Sequence, residues 1–540
     1  MGKDIGLDAI LKELGPFGRY NIINYALLLF PIYLAGMYGS VFVFEATDVN
    51  YRCNVSECEH LDNNAWLNNA IPKENDELMK CKRYGPKNYS GEACSLDAFD
   101  RSTILPCDQL VYSDEDSAVV DFNLGCQDWK TRLIGAIHNS GLFISLPLTG
   151  IISDKYGRKL ALSVASLMNG VCGVIRSFSV NYPMMLAFEF LEAALGAGAY
   201  STAFVIAMEL VGPKGRVFGN TLINVLYVMG LMSLSGFSWW FQSWRTLLRV
   251  IYTPAIFVIS YLWILNESVR WLLSKGRHQE ASAILKKAAK MNKVDLSDQA
   301  LAPLYELDKL GVGDGDEKGN VPNEVKDDKE QSNFKKVLQS SIIRKRVLVC
   351  SFLWITCTFV YNGLSINSVL LAGNKYVNFM LVAFVEIPAN FVCLLVLDKF
   401  GRKKVLVTTY VLSACLCMSL SFVPKDQKWW SLFLFLCGKF SITVAYSSVY
   451  IYVSEVFPTS ARQSLLAICS SVGRVGSTMA PLTPLLKSYY HNLPAIAFGS
   501  LALLASLLVF TLPETINIPL PDTIEEAEML SRRKKTNEFT

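Results

Sequence analysis

The chain has 540 residues, 51% of them apolar and only 18% charged, and its formal net charge is +4. So few charged residues are unusual for a soluble protein of this length. The composition therefore excludes an ordinary soluble globular protein and predicts that much of the chain lies in lipid.

Twelve apolar runs are each long enough to cross a membrane, which takes roughly 20 helical residues. In lipid the backbone must satisfy its own hydrogen bonds, so these runs are predicted to be α-helices. The first run lacks a clear cleavage site of small residues, and we expect it to be retained. The predicted spans are 21–44, 130–152, 160–179, 184–209, 217–240, 247–265, 347–367, 377–397, 404–423, 429–453, 463–486 and 494–512.

Basic residues gather in short segments that the twelve spans place on one face of the membrane. They occur in DKYGRK (154–159), GPKGR (212–216), DKFGRKK (398–404) and RRKK (532–535). Loops rich in Lys and Arg stay on the cytoplasmic side. The sequence thus predicts a multi-pass plasma-membrane protein with both termini in the cytoplasm.

The long segment between the first two spans, residues 45–128, is then extracellular. An even number of cysteines in an oxidising compartment indicates three disulfides, with fifteen possible pairings. Asn54 in NVS and Asn88 in NYS are predicted glycosylation sites. The six cysteines are Cys53, Cys58, Cys81, Cys94, Cys107 and Cys126.

Nothing in the sequence indicates a metal, a cofactor or a catalytic centre. The other eight cysteines are scattered through the predicted helices without metal-ligand spacing, so we interpret them as small buried apolar residues. The four histidines lie far apart and no nucleophile elbow is present. An enzyme is therefore not expected.

The two halves of the chain repeat each other. SDKYGRK (153–159) follows the second span and LDKFGRK (397–403) follows the eighth. MELVGPKGR (208–216) ends the fourth span and SEVFPTSAR (454–462) ends the tenth. A repetition of these motifs at matching positions is hard to obtain by chance.

Three acidic pairs keep a nearly constant spacing: Asp154 with Asp398, Glu209 with Glu455 and Glu267 with Glu514 lie 244, 246 and 247 residues apart. Two parallel six-helix repeats are typical of a carrier whose site lies between them at mid-membrane. The predicted fold is an all-α twelve-helix membrane protein with two pseudo-symmetric halves. Its divisions are a first half at 1–265, a cytoplasmic linker at 266–346 that is helical and then disordered from 311 to 331, a second half at 347–512 and a cytoplasmic tail at 513–540.

Charged residues of the repeated motifs are expected to form a gating network at the cytoplasmic face. Acids and arginines of adjacent loops can make charge-assisted hydrogen bonds that hold the halves together there. A network present only when that side is closed would favour an outward-facing state. The alternative is that these charges only set the orientation of the protein in the membrane, which would explain the basic residues but not the paired acids. The candidates are Asp154, Arg158, Glu209, Arg216, Asp398, Arg402, Glu455 and Arg462.

Several motifs together carry a family resemblance that covers nearly the whole chain. They include the cysteine-rich loop ending in CQDWK, both repeated loop motifs, WRTLLR, ESVRWLLSKGR, EIPAN and the string LPETINIPLPDTIEEAE. On these motifs the chain resembles the organic cation, carnitine and organic anion transporter family of the major facilitator superfamily. The resemblance implies a bilayer-embedded carrier of small organic ions that works by alternating access, without a nucleic-acid partner; it leaves the oligomeric state open.

Two positions depart from the family pattern. Glu189, in FEFLEAALGAG, stands where the resemblance implies an arginine. This puts a family salt bridge in doubt. Asn266 stands where a proline is expected before Glu267, which loosens the start of that loop.

Ionisable groups inside predicted spans cost ~3 kcal/mol on insertion scales and by default mark function. Glu386, Lys439 and Arg474 lie near the middle of their spans, and Glu189 and Glu192 lie in the fourth. Arg474 offers a planar fork that matches a carboxylate. The alternative is that Glu386 and Arg474 neutralise each other without touching a substrate.

The resemblance also implies a charge preference. Cation carriers of the family are expected to have an acidic residue near the place of Arg474, whereas anion and zwitterion carriers have arginine. Lys439 resembles the carnitine-carrier version of its helix. Both residues therefore argue against a simple cation site.

Aromatic residues on the seventh and tenth spans lie where the family lines its cavity. Tyr361, in FVYNGL, matches a family position, whereas Trp354, Tyr446 and Tyr450 could equally be core residues. An ammonium group gains ~0.5 to 2 kcal/mol over such faces. The predicted substrate site therefore includes Tyr361, Tyr446 and Trp354, together with Arg474, Glu386 and Lys439.

The leading hypothesis is a carrier of organic cations or zwitterions of the carnitine or betaine type. Arg474 would hold the carboxylate, and Glu386 with Tyr361 would hold the amine. An organic anion exchanger, which would use Arg474 and Lys439 but not Glu386, is the alternative within transport. A sugar porter should lack the cysteine-rich loop, and a non-transporting receptor or sensor is the alternative from another class.

Overall fold

The computed structural model of the chain describes residues 10, 13–15, 18–61, 64–74, 77–87, 94–113, 116–211, 213–294, 340–371, 373–424, 427–458, 461–490, 492–516, 521 and 524–529. Three predicted features lie outside these residues: the glycosylation site at Asn88, the disordered stretch 311–331 and the basic group 532–535.

Eleven helices of the described chain are long and apolar enough to cross a membrane, and one shorter apolar helix follows them. Each overlaps a predicted span, so the twelve-helix prediction is confirmed. In chain order the helices are α1 (Arg19–Glu45), α2 (Asp128–Tyr156), α3 (Arg158–Arg176), α4 (Tyr182–Leu210), α5 (Phe218–Phe241), α6 (Trp244–Ile264), α7 (Ser341–Leu370), α8 (Lys375–Phe400), α9 (Arg402–Phe422), α10 (Lys428–Val456), α11 (Ser464–Lys487) and α12 (Leu493–Val509).

Local sequence explains where several of these helices begin and end. The side chains of Asn181, Ser340 and Asn374 accept hydrogen bonds from backbone N–H groups in the first turns of α4, α7 and α8. Such caps satisfy donors that the helix leaves unpaired. Gly157 and Gly401 follow α2 and α8 with φ of 109° and 90°, a conformation that favours glycine.

The same helix pairs pack in both halves. In the first half α1 packs on α5 and α3 on α6; in the second half α7 packs on α11 and α9 on α12. The halves meet where α2 contacts α11 and where α5 contacts α8. Exchanging the halves converts one of these interfaces into the other, as expected of two pseudo-symmetric repeats.

The two ends of the bundle are named here by what they carry. The loop face carries residues 46–127, and the linker face carries the connection from α6 to α7. On the loop face the halves touch: the Ser235 hydroxyl donates to the Tyr376 carbonyl at 2.6 Å, and the Phe44 ring lies 5.0 Å from that of Phe379. The loop face is therefore closed in this conformation.

The segment between α1 and α2 is a small disulfide-linked unit. Its disulfides are Cys53–Cys107, Cys58–Cys94 and Cys81–Cys126. Its described residues form three two-stranded antiparallel sheets, in which β1 pairs with β6, β2 with β3 and β4 with β5. The strands are β1 (Tyr51–Cys53), β2 (Lys73–Glu74), β3 (Glu77–Leu78), β4 (Lys82–Pro86), β5 (Phe99–Pro106) and β6 (Leu110–Tyr112), with short helices at Asn64–Trp66, Leu67–Ala70, Leu96–Ala98 and Ala118–Asp121.

Two helices follow α6 on the linker face, Val269–Ser274 and His278–Asn292. The apolar side of the second one packs on the start of the chain, where Leu285 joins a buried cluster with Leu14 and Tyr20. Both helices fall in the first part of the linker, which the sequence predicts to be helical. A further helix, Ile524–Met529, follows α12.

Candidate functional site

One group of buried polar contacts in the second half is centred on Lys439 of α10. Its ammonium nitrogen lies 2.9 Å from a carboxylate oxygen of Glu386 on α8, and both side chains are almost fully buried. It also donates to the Ser365 hydroxyl at 2.7 Å and to the Tyr361 carbonyl at 3.2 Å. Three acceptors match the three donors of a lysine, so Lys439 is satisfied by the protein itself.

The same lysine covers the ring of Tyr361. Its Nζ lies 3.2 Å from the ring centroid. Glu386 and Tyr361 are the residues that the sequence predicts to hold a substrate amine. In this conformation the ammonium group of the chain's own lysine occupies that position.

Arg474 lies on α11 next to a tight contact with α7. The Thr358 hydroxyl donates to the Gly473 carbonyl at 2.5 Å. A Cβ added at Gly476 would lie 2.3 Å from the Ile355 carbonyl oxygen. The small residues next to Arg474, Gly473 and Gly476, therefore allow close helix packing.

The half-buried guanidinium of Arg474 has no hydrogen bond or ion pair to any side chain in the part of the chain that the structure describes. Arg474 and Glu386 do not neutralise each other in the structure, because Glu386 pairs with Lys439. The helix positions place all three charges at similar depth, but only two of them meet.

The predicted aromatic residues form one chain of rings. Trp354 contacts Tyr446 and Tyr450 edge-on, both at 5.6 Å between centroids. Tyr446 lies 5.3 Å from Tyr361. Trp354 is buried, whereas Tyr450 is 52% exposed. Trp354 is thus covered by its neighbours, whereas about half of the Tyr450 surface is free.

Two tyrosines of the first half lie close to these residues of the second half. Tyr200 on α4 and Tyr227 on α5 lie 5.5 Å apart. The charge of Arg474 acts electrostatically on both, and also on Tyr446 and Tyr450. Tyr227 also lines a cavity between the two halves together with Tyr361 and Glu386. We call this cavity and the adjoining region around Arg474, Tyr200, Tyr446 and Tyr450 the central cavity.

Sequence reasoning missed Tyr200 and Tyr227. A charge inside a span is conspicuous because it is costly there, but a tyrosine is an ordinary residue of a membrane helix. Only the packing of the two halves brings these tyrosines into the range of the charge of Arg474.

The predicted gating residues of the first half form a local network on the linker face. Arg158 pairs with Asp154 at 2.6 Å and lies 3.6 Å from Glu209. The Ser268 hydroxyl donates to Glu209. The side chain of Arg216 lies outside the described residues.

The second half repeats this arrangement. Arg402 lies 3.5 Å from Asp398 and 3.1 Å from Glu455, and the Thr515 hydroxyl donates to Glu455 at 2.7 Å. Arg462 donates to the Phe457 carbonyl at 3.4 Å. In this conformation, which is closed on the loop face, these ion pairs join helices within one half. The predicted network between the halves concerns the opposite state, which is closed on the linker face, and stays a prediction.

Two further acids belong to these networks. Glu267 accepts from the Arg158 backbone N–H at 3.0 Å, and Glu514 accepts from the Arg402 backbone N–H at 3.0 Å. Each carboxylate therefore caps the N-terminus of α3 or α9, where negative charge is stabilised. Their constant spacing in the sequence reflects this shared role.

The glycosylation candidate Asn54 lies directly after β1. Its side-chain amide donates to the Gln109 side chain at 3.1 Å in an exposed position. Asn88 lies outside the described residues.

Comparison with known proteins agrees with this architecture. A family model described as "Sugar (and other) transporter" matches residues 61–526. The chain is 31% identical to the organic cation transporter protein of Drosophila melanogaster, over 99% of this chain and 96% of that one. It is also 31% identical to the organic cation/carnitine transporter 2 of Homo sapiens, over 96% and 93%, and 30% identical to solute carrier family 22 member 1 of Oryctolagus cuniculus, over 98% and 97%.

Solved structures give the fold. The inward-open xylose transporter XylE of E. coli aligns over 95% of this chain and 100% of that chain, with a TM-score of 0.58 and 17% identity. At this identity the likeness shows the fold alone, which is that of the major facilitator superfamily. The chain therefore belongs to the sugar (and other) transporter family and, within it, to solute carrier family 22, a group of membrane transporters rather than enzymes.

Proposed function

We propose that the chain carries small carboxylate-bearing organic ions, foremost zwitterions of the carnitine or betaine type, across the plasma membrane by alternating access. Among its relatives are proteins named as organic cation and organic cation/carnitine transporters. The substrate would bind in the central cavity, between the two halves.

The observation that carries this proposal is the state of Arg474. Among the described residues of the cavity it is a guanidinium without an ion-pair partner. A guanidinium presents two parallel N–H donors that match a carboxylate. A substrate carboxylate would supply the partner that the protein does not.

The amine of a zwitterion would then lie over the tyrosine faces of the cavity rather than at Glu386. Glu386 and the ring of Tyr361 are taken by Lys439. Tyr446, Tyr450, Tyr200 and Tyr227 lie within reach of the charge of Arg474, and aromatic faces attract quaternary ammonium groups. This arrangement would hold both ends of a short betaine.

An organic anion is the second candidate substrate, and one observation favours it. Because Lys439 neutralises Glu386, the described part of the cavity has no carboxylate left to hold a cation, and Arg474 gives it a positive charge. A dicarboxylate or another anion would therefore bind without repulsion.

The orientation and the gate are also proposed. The loop face would be extracellular, with Asn54 and Asn88 glycosylated and both termini in the cytoplasm. The two linker-face networks, one in each half, would keep the ends of the helices rigid while the halves rock. The divisions at 1–265, 266–346, 347–512 and 513–540 would be the moving halves and their connections.

Uptake of three labelled probes by cells that express the chain tests the substrate: carnitine, a simple quaternary amine and a dicarboxylate. We expect saturable uptake of carnitine and little uptake of the amine. Uptake of the dicarboxylate alone would favour the anion carrier. Uptake of the simple amine alone would exclude both proposals, and saturable binding without flux in sealed vesicles would indicate a receptor.

A further inference from the structure

Five ionisable side chains are buried together inside the first half, away from the central cavity. They come from four helices: Glu45 ends α1, His138 lies on α2, Arg176 ends α3, and Glu189 and Glu192 lie on α4. All five are at most 4% exposed. We call them the buried acidic cluster.

Most of the cluster is joined by direct contacts. Glu189 bonds to Arg176 with one carboxylate oxygen and lies 2.9 Å from His138 Nδ1 with the other. Arg176 also donates to the Tyr252 hydroxyl at 3.1 Å. Glu189 stands on α4 where the family resemblance implies an arginine. In this chain a cation comes from α3 instead, as Arg176.

Glu45 is the exception. Both of its carboxylate oxygens are buried without a hydrogen bond, and its nearest cation is Arg176 Nε at 3.4 Å. One oxygen of Glu192 also lacks a hydrogen bond. A buried carboxylate without hydrogen-bond donors is costly. Among the described residues, an ionised Glu45 is supported by its ion pair with Arg176, which is shared with Glu189.

The charges in the cluster do not balance. Even with His138 protonated, two cations face the three carboxylates of Glu45, Glu189 and Glu192. The other titratable groups facing the cluster are Tyr38 on α1, Cys172 on α3 and Tyr252 on α6, and none of them is basic. One negative charge is left over, which one bound proton would neutralise.

A metal ion fits the geometry less well. Ligand atoms of His138, Glu189 and Glu192 lie within 4.8 Å of one another. The 2.9 Å separation of His138 Nδ1 and Glu189 Oε1, however, is a hydrogen-bond distance, and Arg176 already occupies the other oxygen of Glu189. A proton needs no such rearrangement.

The cluster is connected to the movement of the halves through Phe42. The Phe42 ring lies 5.6 Å from the ring of His138. On its other side Phe42 lines a cavity on the loop face together with Gly135, and with Ile366 and Pro481 of the second half. Opening of the loop face would move the second half away from Phe42. Water would then reach Phe42, which lies between that face and the cluster.

We propose that Glu45 is a proton-binding site of the transport cycle that exchanges with water on the loop face. This proposal rests on the proposed alternating access. A proton from the water would bind a Glu45 carboxylate oxygen while the loop face is open, and closure would then bury a neutral acid. Without the proton, closure would bury an uncompensated carboxylate and would be slow.

Two measurements on the full-length chain test this inference. The first is uptake as a function of pH on the loop face, with the linker face held constant. We expect wild-type uptake to fall as the loop-face pH rises, and Glu45→Gln, which is neutral and of the same shape, to lose this dependence. Identical pH profiles for the two proteins would overturn the proposal.

The second measurement does not depend on flux. Infrared spectra of the purified protein in bilayers should show the carbonyl band of a protonated carboxyl group at neutral pH, lost in Glu45→Gln but kept in the control Glu59→Gln, whose carboxylate lies in the loop. Absence of the band from the wild type would overturn the proposal even if Glu45→Gln does not fold. So would a stoichiometric bound metal ion that Glu192→Gln removes. If no probe is transported, the proposed function fails, and the spectrum still decides on the proton.

Discussion

The ammonium group of Lys439 lies 2.9 Å from the carboxylate of Glu386, deep within the second half of the bundle. This ion pair determines the charge of the central cavity, because it removes the acid that a cationic substrate would need. It leaves Arg474 as the charged group available to a ligand among the described residues of the cavity.

Breaking this pair from one side should destabilise the protein. Removing one partner of a buried ion pair leaves an uncompensated charge and costs about 3 to 5 kcal/mol. We expect Lys439→Met to lower the thermal unfolding temperature of the purified protein strongly. The double variant Lys439→Met with Glu386→Leu should recover most of the loss, since replacing both charges by apolar groups is often neutral. A double variant no more stable than Lys439→Met would argue against a direct pair.

Tyr450 should contribute to substrate affinity through its ring. It is half-exposed beside Arg474, and a cation over an aromatic face gains about 0.5 to 2 kcal/mol. Tyr450→Ala should therefore weaken carnitine binding by that amount, and Tyr450→Phe should keep most of the affinity. The measurement is KM for uptake. Equal losses in the two variants would assign the effect to the hydroxyl.

The contact between α7 and α11 should not tolerate a methyl group. A Cβ at Gly476 would meet the Ile355 carbonyl oxygen at 2.3 Å, and a backbone atom cannot move aside cheaply. Overpacking of this kind costs about 1 to 3 kcal/mol. Gly476→Ala should lower thermal stability, whereas Gly150→Ala, also in a helix but with open space around its Cβ, should not. Similar stability of the two variants would contradict the close packing.

Acid should loosen the segment on the loop face. Two hydrogen bonds from Arg83, at 2.9 and 3.0 Å, lower the pKa of Glu57 below its usual 4.5. Because the folded pKa is depressed, this contribution to stability is present above pH 4.5 and is lost as the pH falls through the lowered value. Its size is modest because Glu57 is partly exposed.

Limited proteolysis of the intact protein by an acid-active protease checks this sign. Cleavage within residues 45–128 should increase as the pH falls below the usual carboxyl range. In Glu57→Gln it should be higher from the start and respond less to pH. The exposed Asp97→Asn should behave like the wild type. A Glu57→Gln profile that matches the wild type would show that the pair does not hold the segment together.

The sequence predicted the features that depend on composition along the chain. Helix positions follow from the length of the apolar runs, and the repeat follows from constant spacing, so both were available without a structure. The disulfide pairing was not, because which of six cysteines meet depends on how β1 packs against β6 and β4 against β5.

Side-chain contacts between helices of the bundle could not be predicted from the sequence either. The position of Glu386, Lys439 or Arg474 along its helix indicates depth but not direction around the helix axis. Glu386 begins the second segment of α8, which is interrupted at Val385, and this local break contributes to its direction. For the same reason the sequence marked Glu189 as a departure but did not reveal that Arg176 faces it.

The most direct test of the central claim is uptake of carnitine and of a simple quaternary amine by Arg474→Asp, with Arg474→Lys as the variant that keeps the charge. We predict that Arg474→Asp abolishes carnitine uptake and spares or admits the amine, because an aspartate repels a carboxylate and attracts a cation. Arg474→Lys should retain part of the carnitine uptake. Unchanged carnitine uptake by Arg474→Asp, at equal surface expression, would show that Arg474 is not the carboxylate receptor.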